Sequence, residues 1–155
     1  MRVRSFDVIA EEFARRVKRT VWCTMATADA QRRIRSRIVH PLWDGRTGWL
    51  LTGRQSVKAR ELDDSAWASL TYMDDAQEQV HVDCHTVWEE RLAEKQRLWD
   101  WFKSLPPPLG YDPGLFFTKG VEDASFGALR LDPWRIELWS LAHLMSGKPP
   151  QVWKA

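Results

Sequence analysis

Short apolar segments separated by turn residues run through most of this sequence, and they constrain the fold more than any other feature. Seven of them have the length and residue types of strands: 21–28, 34–43, 48–52, 67–73, 79–86, 127–131 and 135–141. Asp44-Gly45 is a strong hairpin signal, and Asp74-Asp75 and Asp132-Pro133 predict further turns. Six or seven strands in meander-like succession favour a mainly β fold, a small antiparallel barrel with helices at its ends.

Three segments are predicted to be helical instead. Residues 6–19 carry an apolar stripe between charged residues, with Ser5 as a plausible N-cap. Residues 87–105 form a second amphipathic pattern, which three consecutive prolines end. Between them, Ser56 predicts the start of a short helix that ends before two aspartates.

The length and composition indicate a single domain. The chain has 155 residues, of which 44% are hydrophobic and 28% charged, and it contains no repeat or obvious linker. We therefore predict one domain over residues 1–155, with an N-terminal helix at 6–19, a barrel with inserted helices at 21–141 and a tail at 142–155. Ten tryptophans are unusual at this length, and they predict either an indole-rich core or flat surfaces for a planar ligand.

Charge, cysteine content and hydropathy exclude several classes of protein. The formal net charge is only +2, so long-range attraction to nucleic acid or to an acidic membrane is weak. Two cysteines are too few for a secreted disulfide scaffold. No apolar run approaches the length of a membrane span, and the first residues lack the apolar core of a signal peptide. We expect a cytoplasmic protein that binds neither nucleic acid nor membrane.

One pair of segments carries the clearest chemistry. Arg35 and Arg37 lie on a predicted strand, and after the hairpin come Thr52, Ser56 and Lys58, the last two in the first turn of the short helix. Helix N-terminal amides, hydroxyls, a lysine and an arginine fork are the groups that hold a phosphate monoester. The alternative is a basic edge strand whose arginines are only solvated, followed by a serine that only caps its helix.

The same spacing resembles the pyridoxamine 5'-phosphate oxidase-like family of FMN-binding split β-barrels, including its actinobacterial-type flavin and deazaflavin relatives. The resemblance extends from about residue 21 to residue 141, and it includes Gln79 at the start of a strand and an apolar-Glu-apolar-Trp run that ends at Trp139. It implies bound FMN and a homodimer whose subunits share each flavin site. It also implies flavin contacts for ten residues: Arg35, Arg37, Ile38, Val39, His40, Thr52, Ser56, Lys58, Gln79 and Trp139.

One departure narrows the function that the resemblance implies. The pyridoxamine phosphate oxidases proper carry arginines after the tryptophan, whereas here Trp139 is followed by Ser140-Leu141-Ala142-His143-Leu144-Met145. We therefore expect an FMN-binding oxidoreductase, with hydride transfer through flavin N5 to or from a small molecule, rather than a true pyridoxamine phosphate oxidase. A reductase dependent on coenzyme F420 and a non-catalytic flavin- or haem-binding protein are the alternatives. No catalytic side chain is predicted.

Two further patterns are given structural interpretations. His81, Asp83 and His85 alternate along one strand face, but Cys84 points the other way and no second ligand cluster is near, so no metal site is predicted. The basic run at 15–19 is diluted by neighbouring acids and is interpreted as a solvated helix face. His40, which precedes Pro41, either reaches the flavin or ends a strand.

Overall fold

The computed structural model describes residues 1–155 as one eight-stranded antiparallel sheet with flanking helices. The strands are β1 (Cys23–Ala28), β2 (Ile34–Val39), β3 (Leu42–Asp44), β4 (Thr47–Gly53), β5 (Trp67–Met73), β6 (Glu78–Glu89), β7 (Phe126–Ser140) and β8 (Gln151–Lys154). Their order in the sheet is β2-β1-β5-β6-β7-β4-β3, and β8 pairs with β7. The predicted fold class is confirmed.

Four helices accompany the sheet: α1 (Ala10–Thr20), α2 (Val57–Asp64), α3 (Leu92–Ser104) and α4 (Leu141–Met145). The predicted helix at 6–19 is a 3-10 turn, Phe6–Val8, followed by α1. Helix α2 begins after Ser56, as expected. The helix predicted at 87–105 is wrong at its start, because residues 87–89 continue β6 and pair with β7. No helix of this chain has the length and apolar character that a membrane crossing requires.

Prolines account for two of the differences between predicted and observed strands. The strand predicted at 34–43 divides at His40-Pro41 into β2 and β3, which lie at opposite edges of the sheet. The strands predicted at 127–131 and 135–141 are the single strand β7, because Pro133 falls at an irregularity in its pairing with β6. In the tail at 142–155, β8 extends the sheet beside residues 135–138.

The sheet curls so that its two ends face each other. Residues of β2, the first strand in the sheet order, and of β4, near the other end, line the same groove. Inside the curl lies a core of twenty buried residues that includes Phe13, Met25 and Leu70. A second core of nine residues packs α3 against the other side of β4 and β7. The barrel is thus split along the line where the groove opens.

Candidate functional site

The groove between β2 and β4 has a volume of about 850 Å³. Residues 37–40 at the end of β2 form one side, and residues 50–53 of β4 form the other. Lys58 of α2 and residues of the segment 107–117 complete the lining. This volume is near the upper end of the range found for small-molecule sites.

Lys58 and its two hydroxyl partners form a cationic corner of the groove. Its Nζ donates to the hydroxyl of Thr52 and lies 3.4 Å from Ser56 Oγ. Ser56 also caps α2, since its Oγ accepts from the Ala59 amide at 3.2 Å. Burial of the ammonium group, together with the charge of Arg37, lowers the pKa of Lys58 to about 8, although the carboxylate of Glu61 acts in the opposite direction. A bound anion would offset the unfavourable burial of this charge, so the corner is suited to a phosphate.

Arg37 lines the groove but is already paired inside the protein. Its Nη2 donates to Glu61 Oε2 at 2.8 Å, and its Nη1 donates to Thr27 Oγ1 at 2.5 Å. The pKa of Glu61 lies below its usual value because the Thr27 hydroxyl and then the Arg37 guanidinium donate to its carboxylate, against the effect of burial. Glu61 and Thr27 therefore hold the arginine fork in place and offset one of the two positive charges in the corner.

The other residues predicted on β2 occupy different positions. Arg35 is exposed and lies outside the groove, although its charge also helps to lower the pKa of Glu61. Ile38, Val39 and His40 line the groove. Since β2 pairs only with β1, part of its backbone N–H and C=O groups face away from the sheet. These groups are available to a ligand that lies along the strand.

His40 connects the strand to the covering segment. Its Nε2 lies 2.7 Å from the carbonyl oxygen of Leu109, and its ring is 5.2 Å from that of Tyr111. Burial lowers the pKa of His40, although the bond to Leu109 acts against this shift, so the ring is neutral at pH 7. His40 directly follows the last residue of β2 and lines the groove, and its contact with a flavin stays a prediction.

Gln79 and Trp139 do not reach this groove. They face each other in register on β6 and β7, and neither lines the cavity. Thr52 pairs with Gly127 near the start of β7, and Trp139 follows twelve residues later. That separation is about 40 Å of extended strand. The structure therefore brings together Arg37, Ile38, Val39, His40, Thr52 and Lys58, with Ser56 beside them, and leaves Arg35, Gln79 and Trp139 elsewhere.

Three features of the site were not predicted from the sequence. Arg16, which is 4% exposed, donates through Nη1 to the carbonyl oxygens of Trp139 at 2.6 Å and of Gln79 at 2.9 Å, and so connects α1 to this pair. Glu61 fixes Arg37, and the segment 107–117 supplies an apolar wall. Only the wall had a signal, because the prolines and glycine at 106–111 indicate a stiff loop of the kind that can border a site.

The polar groups outside the groove are bonded to one another. His81 contacts Thr71 and Gln79, and Asp83 accepts from Ser69 and Arg135. No group of three or more histidine, cysteine, aspartate or glutamate side chains in the chain could hold a metal ion. The arginines of α1 form ion pairs with three acidic side chains, those of Glu12, Asp74 and Glu78.

Fold and groove together define a class, the split β-barrel proteins in which a small-molecule groove opens between the edges of one curled sheet. A family model described as pyridoxamine 5'-phosphate oxidase matches residues 9–140. The chain belongs to this family, so the resemblance found in the sequence is confirmed. No curated protein matches the chain significantly in sequence.

Solved structures from three bacteria are similar in fold. A protein related to general stress protein 26 from Clostridium acetobutylicum has a TM-score of 0.74 and 14% identity, over 96% of this chain and 95% of that chain. An FMN-binding protein related to pyridoxamine 5'-phosphate oxidase, from Nostoc punctiforme, has a TM-score of 0.61 and 18% identity, over 88% and 82%. The haem storage protein HutZ of Vibrio cholerae has a TM-score of 0.60 and 17% identity, over 81% and 89%. At these identities the likeness establishes the fold alone.

Proposed function

We propose that this protein binds FMN and acts as a flavin-dependent oxidoreductase on a small molecule. The observation that carries the proposal is the cationic corner, where Thr52 and the buried Lys58, whose pKa is lowered, line the groove and the Ser56 hydroxyl lies beside the ammonium group. A phosphate monoester supplies the negative charge and the acceptor oxygens that these donors lack. Membership of a family with an FMN-binding structural neighbour supports the same cofactor.

The remaining groove residues fit the ring of a flavin. When bound, FMN supplies hydride chemistry at N5. The free backbone groups of Ile38 to His40 would donate to and accept from the polar edge of the ring, and Val39 and Leu50 offer apolar surface to its faces. Arg37, held by Glu61, would place positive charge beside the cofactor. The groove residues bind and orient the cofactor, and none of them is required as an acid or base.

We further propose that the protein is a homodimer in which a second copy completes each site. Gln79 and Trp139 lie outside the groove of their own chain, so they can contact its flavin only from a partner subunit. The edge strand β2 is consistent with such an interface, since Ile34 and Ile38 are 71% and 65% exposed. The free cysteines, both buried, suit a reducing cytoplasm.

The two alternatives differ in how well this chain supports them. Coenzyme F420 also carries a phosphate and would suit the same corner, so it stays the closest competitor. A haem ligand role for His40 is disfavoured, because its Nε2 is bonded to the Leu109 carbonyl. His81 is similarly engaged through both ring nitrogens.

Absorption spectroscopy and titration test the proposal. We expect the purified protein, or the cofactor-free protein after titration, to bind FMN stoichiometrically and to be reduced by a nicotinamide or by reduced F420. Haemin and F420 should bind more weakly than FMN. Tighter binding of F420 than of FMN would mean that F420 is the cofactor. A Soret band in the protein as isolated would favour the haem alternative. Failure to bind any flavin would refute the proposed cofactor. Sedimentation with and without FMN tests the dimer.

A further inference from the structure

The segment 107–117 adds a second chemical character to the groove that Lys58 also lines. Its groove-lining side chains are mainly apolar: Pro107, Pro108, Tyr111, Leu115, Phe116 and Phe117. We call these six residues the aromatic wall. Leu115 and Phe116 are 75% and 69% exposed, so their apolar surface is available to a ligand.

The wall offers no free charge to a ligand. Asp112 is the acidic residue beside it, and its Oδ1 accepts from the Gly114 amide at 2.9 Å while its Oδ2 lies 3.4 Å from Lys103 Nζ. Lys58 and Arg37, the positive groups of the groove, are not part of the wall, and Arg37 is already paired with Glu61. A charged ligand would gain no counter-charge at the wall, so an uncharged one is favoured.

Tyr111 supplies the one side-chain hydrogen-bonding group of the wall. Its ring is held among His40, Phe102 and Phe116 at centroid distances of 5.2, 5.4 and 5.9 Å. Its hydroxyl forms no hydrogen bond within the protein, and because no fully buried polar side-chain atom lacks a partner, this oxygen keeps accessible surface on a residue that lines the groove. Burial raises the pKa of Tyr111 to about 12, so the hydroxyl keeps its proton and is a donor at neutral pH.

We propose that the aromatic wall binds an uncharged, planar aromatic ligand that accepts a hydrogen bond from the Tyr111 hydroxyl through a carbonyl or similar oxygen. The groove volume of about 850 Å³ leaves room for such a ligand beside a cofactor held at Lys58. The identification of this ligand class as the substrate rests on the proposed flavin-dependent function. Binding at the wall does not depend on it.

The binding of two probes to the wild-type protein and to a variant without the Tyr111 hydroxyl tests the inference. The probes are 2-methyl-1,4-naphthoquinone and 2-methylnaphthalene, which lacks the acceptor oxygens, and the variant is Tyr111→Phe. Calorimetric titration gives the dissociation constants for the protein alone and for protein saturated with FMN. We expect Tyr111→Phe to weaken the quinone about three- to tenfold, the range for one neutral hydrogen bond, and to leave the hydrocarbon unchanged. Phe116→Ala should weaken both probes, and thermal unfolding checks that both variants fold.

Each outcome decides between the two proposals. Equal effects of Tyr111→Phe on both probes, no effect on the quinone, or no binding of the quinone to the wild-type protein would overturn the ligand site. Quinone binding with the expected selectivity in a protein that fails to bind FMN would keep the site and refute the cofactor. FMN binding without quinone binding would keep the proposed cofactor and refute the ligand site at the aromatic wall.

Discussion

The lowered pKa of Lys58 predicts that FMN binding weakens with pH in a range where an ordinary lysine does not titrate. In the free protein this pKa is about 8, against an ordinary value of 10.5. A phosphate beside the ammonium group favours its charged form and would return the pKa toward the ordinary value. Binding above pH 8 must therefore be accompanied by proton uptake, and the affinity falls as the pH rises.

The size of the effect follows from these two values. At pH 7 about nine-tenths of the free protein carries a protonated Lys58, and at pH 9 only about one-tenth does. If Lys58 stays protonated in the complex at both pH values, FMN binds about tenfold more weakly at pH 9, a loss of about 1.4 kcal/mol. The phosphate itself is doubly ionised throughout this range, since its second pKa is about 6.

Quenching of flavin fluorescence measures the affinity at each pH. Riboflavin, which lacks the phosphate, should bind with little change between pH 7 and pH 9. Lys58→Met should remove both the preference for FMN and its pH dependence, whereas Lys58→Arg should keep the preference without the dependence, because arginine stays charged. A flat profile in the wild-type protein, or an equal slope in Lys58→Met, would show that this lysine does not hold the phosphate.

Three further predictions concern the neighbouring residues. Glu61→Gln should lower the melting temperature. It should also raise the preference for FMN over riboflavin by about tenfold, because it frees the Arg37 fork for one charge-assisted hydrogen bond to the phosphate. An unchanged preference would show that Arg37 stays away from the phosphate. Gly110→Ala should destabilise the fold by about 1–3 kcal/mol in thermal unfolding, since a Cβ there would overlap the carbonyl oxygens of Leu105 and Phe102; a stability equal to wild type would refute this packing. Trp139→Ala should increase the fluorescence emission of bound flavin. Substitution of an exposed tryptophan on the same strand, Trp134→Ala, serves as the control. Equal emission from the two variants would argue against contact between Trp139 and the flavin ring.

Local signals were sufficient for most of the fold. Hairpin turns and period-two patterns act over a few residues, so β1, β4 and β5 and the turn at Asp44-Gly45 could be predicted with nearly their observed bounds. The continuity of β7 past Pro133 depends on where β6 places its pairing irregularity. Strand β8 depends on β7 for its pairing, and neither feature is encoded locally.

The residues of the site also divide into those that local spacing predicts and those whose positions depend on tertiary packing. Thr52, Ser56 and Lys58 lie within seven residues of one another, so the spacing of a strand end and a helix start brings their side chains together. The pairing of Arg37 with Glu61 requires α2 to pack beside β1 and β2, and this is a tertiary arrangement. The contact of Arg16 with the carbonyl oxygen of Trp139 joins residues 123 positions apart, beyond the reach of any sequence pattern.

The pairing of residues 1–3 with β8 has a consequence for how the chain folds. The Val3 amide donates to the Val152 carbonyl oxygen at 2.9 Å, and the Val152 amide donates to the Met1 carbonyl oxygen at 2.9 Å. These bonds join residues about 150 positions apart in the sequence, and such contacts are slow to form. During synthesis they must wait until residue 152 has left the ribosome. We therefore expect the first residues to remain unpaired while the rest of the barrel assembles, and amide hydrogen exchange during refolding should find them protected last.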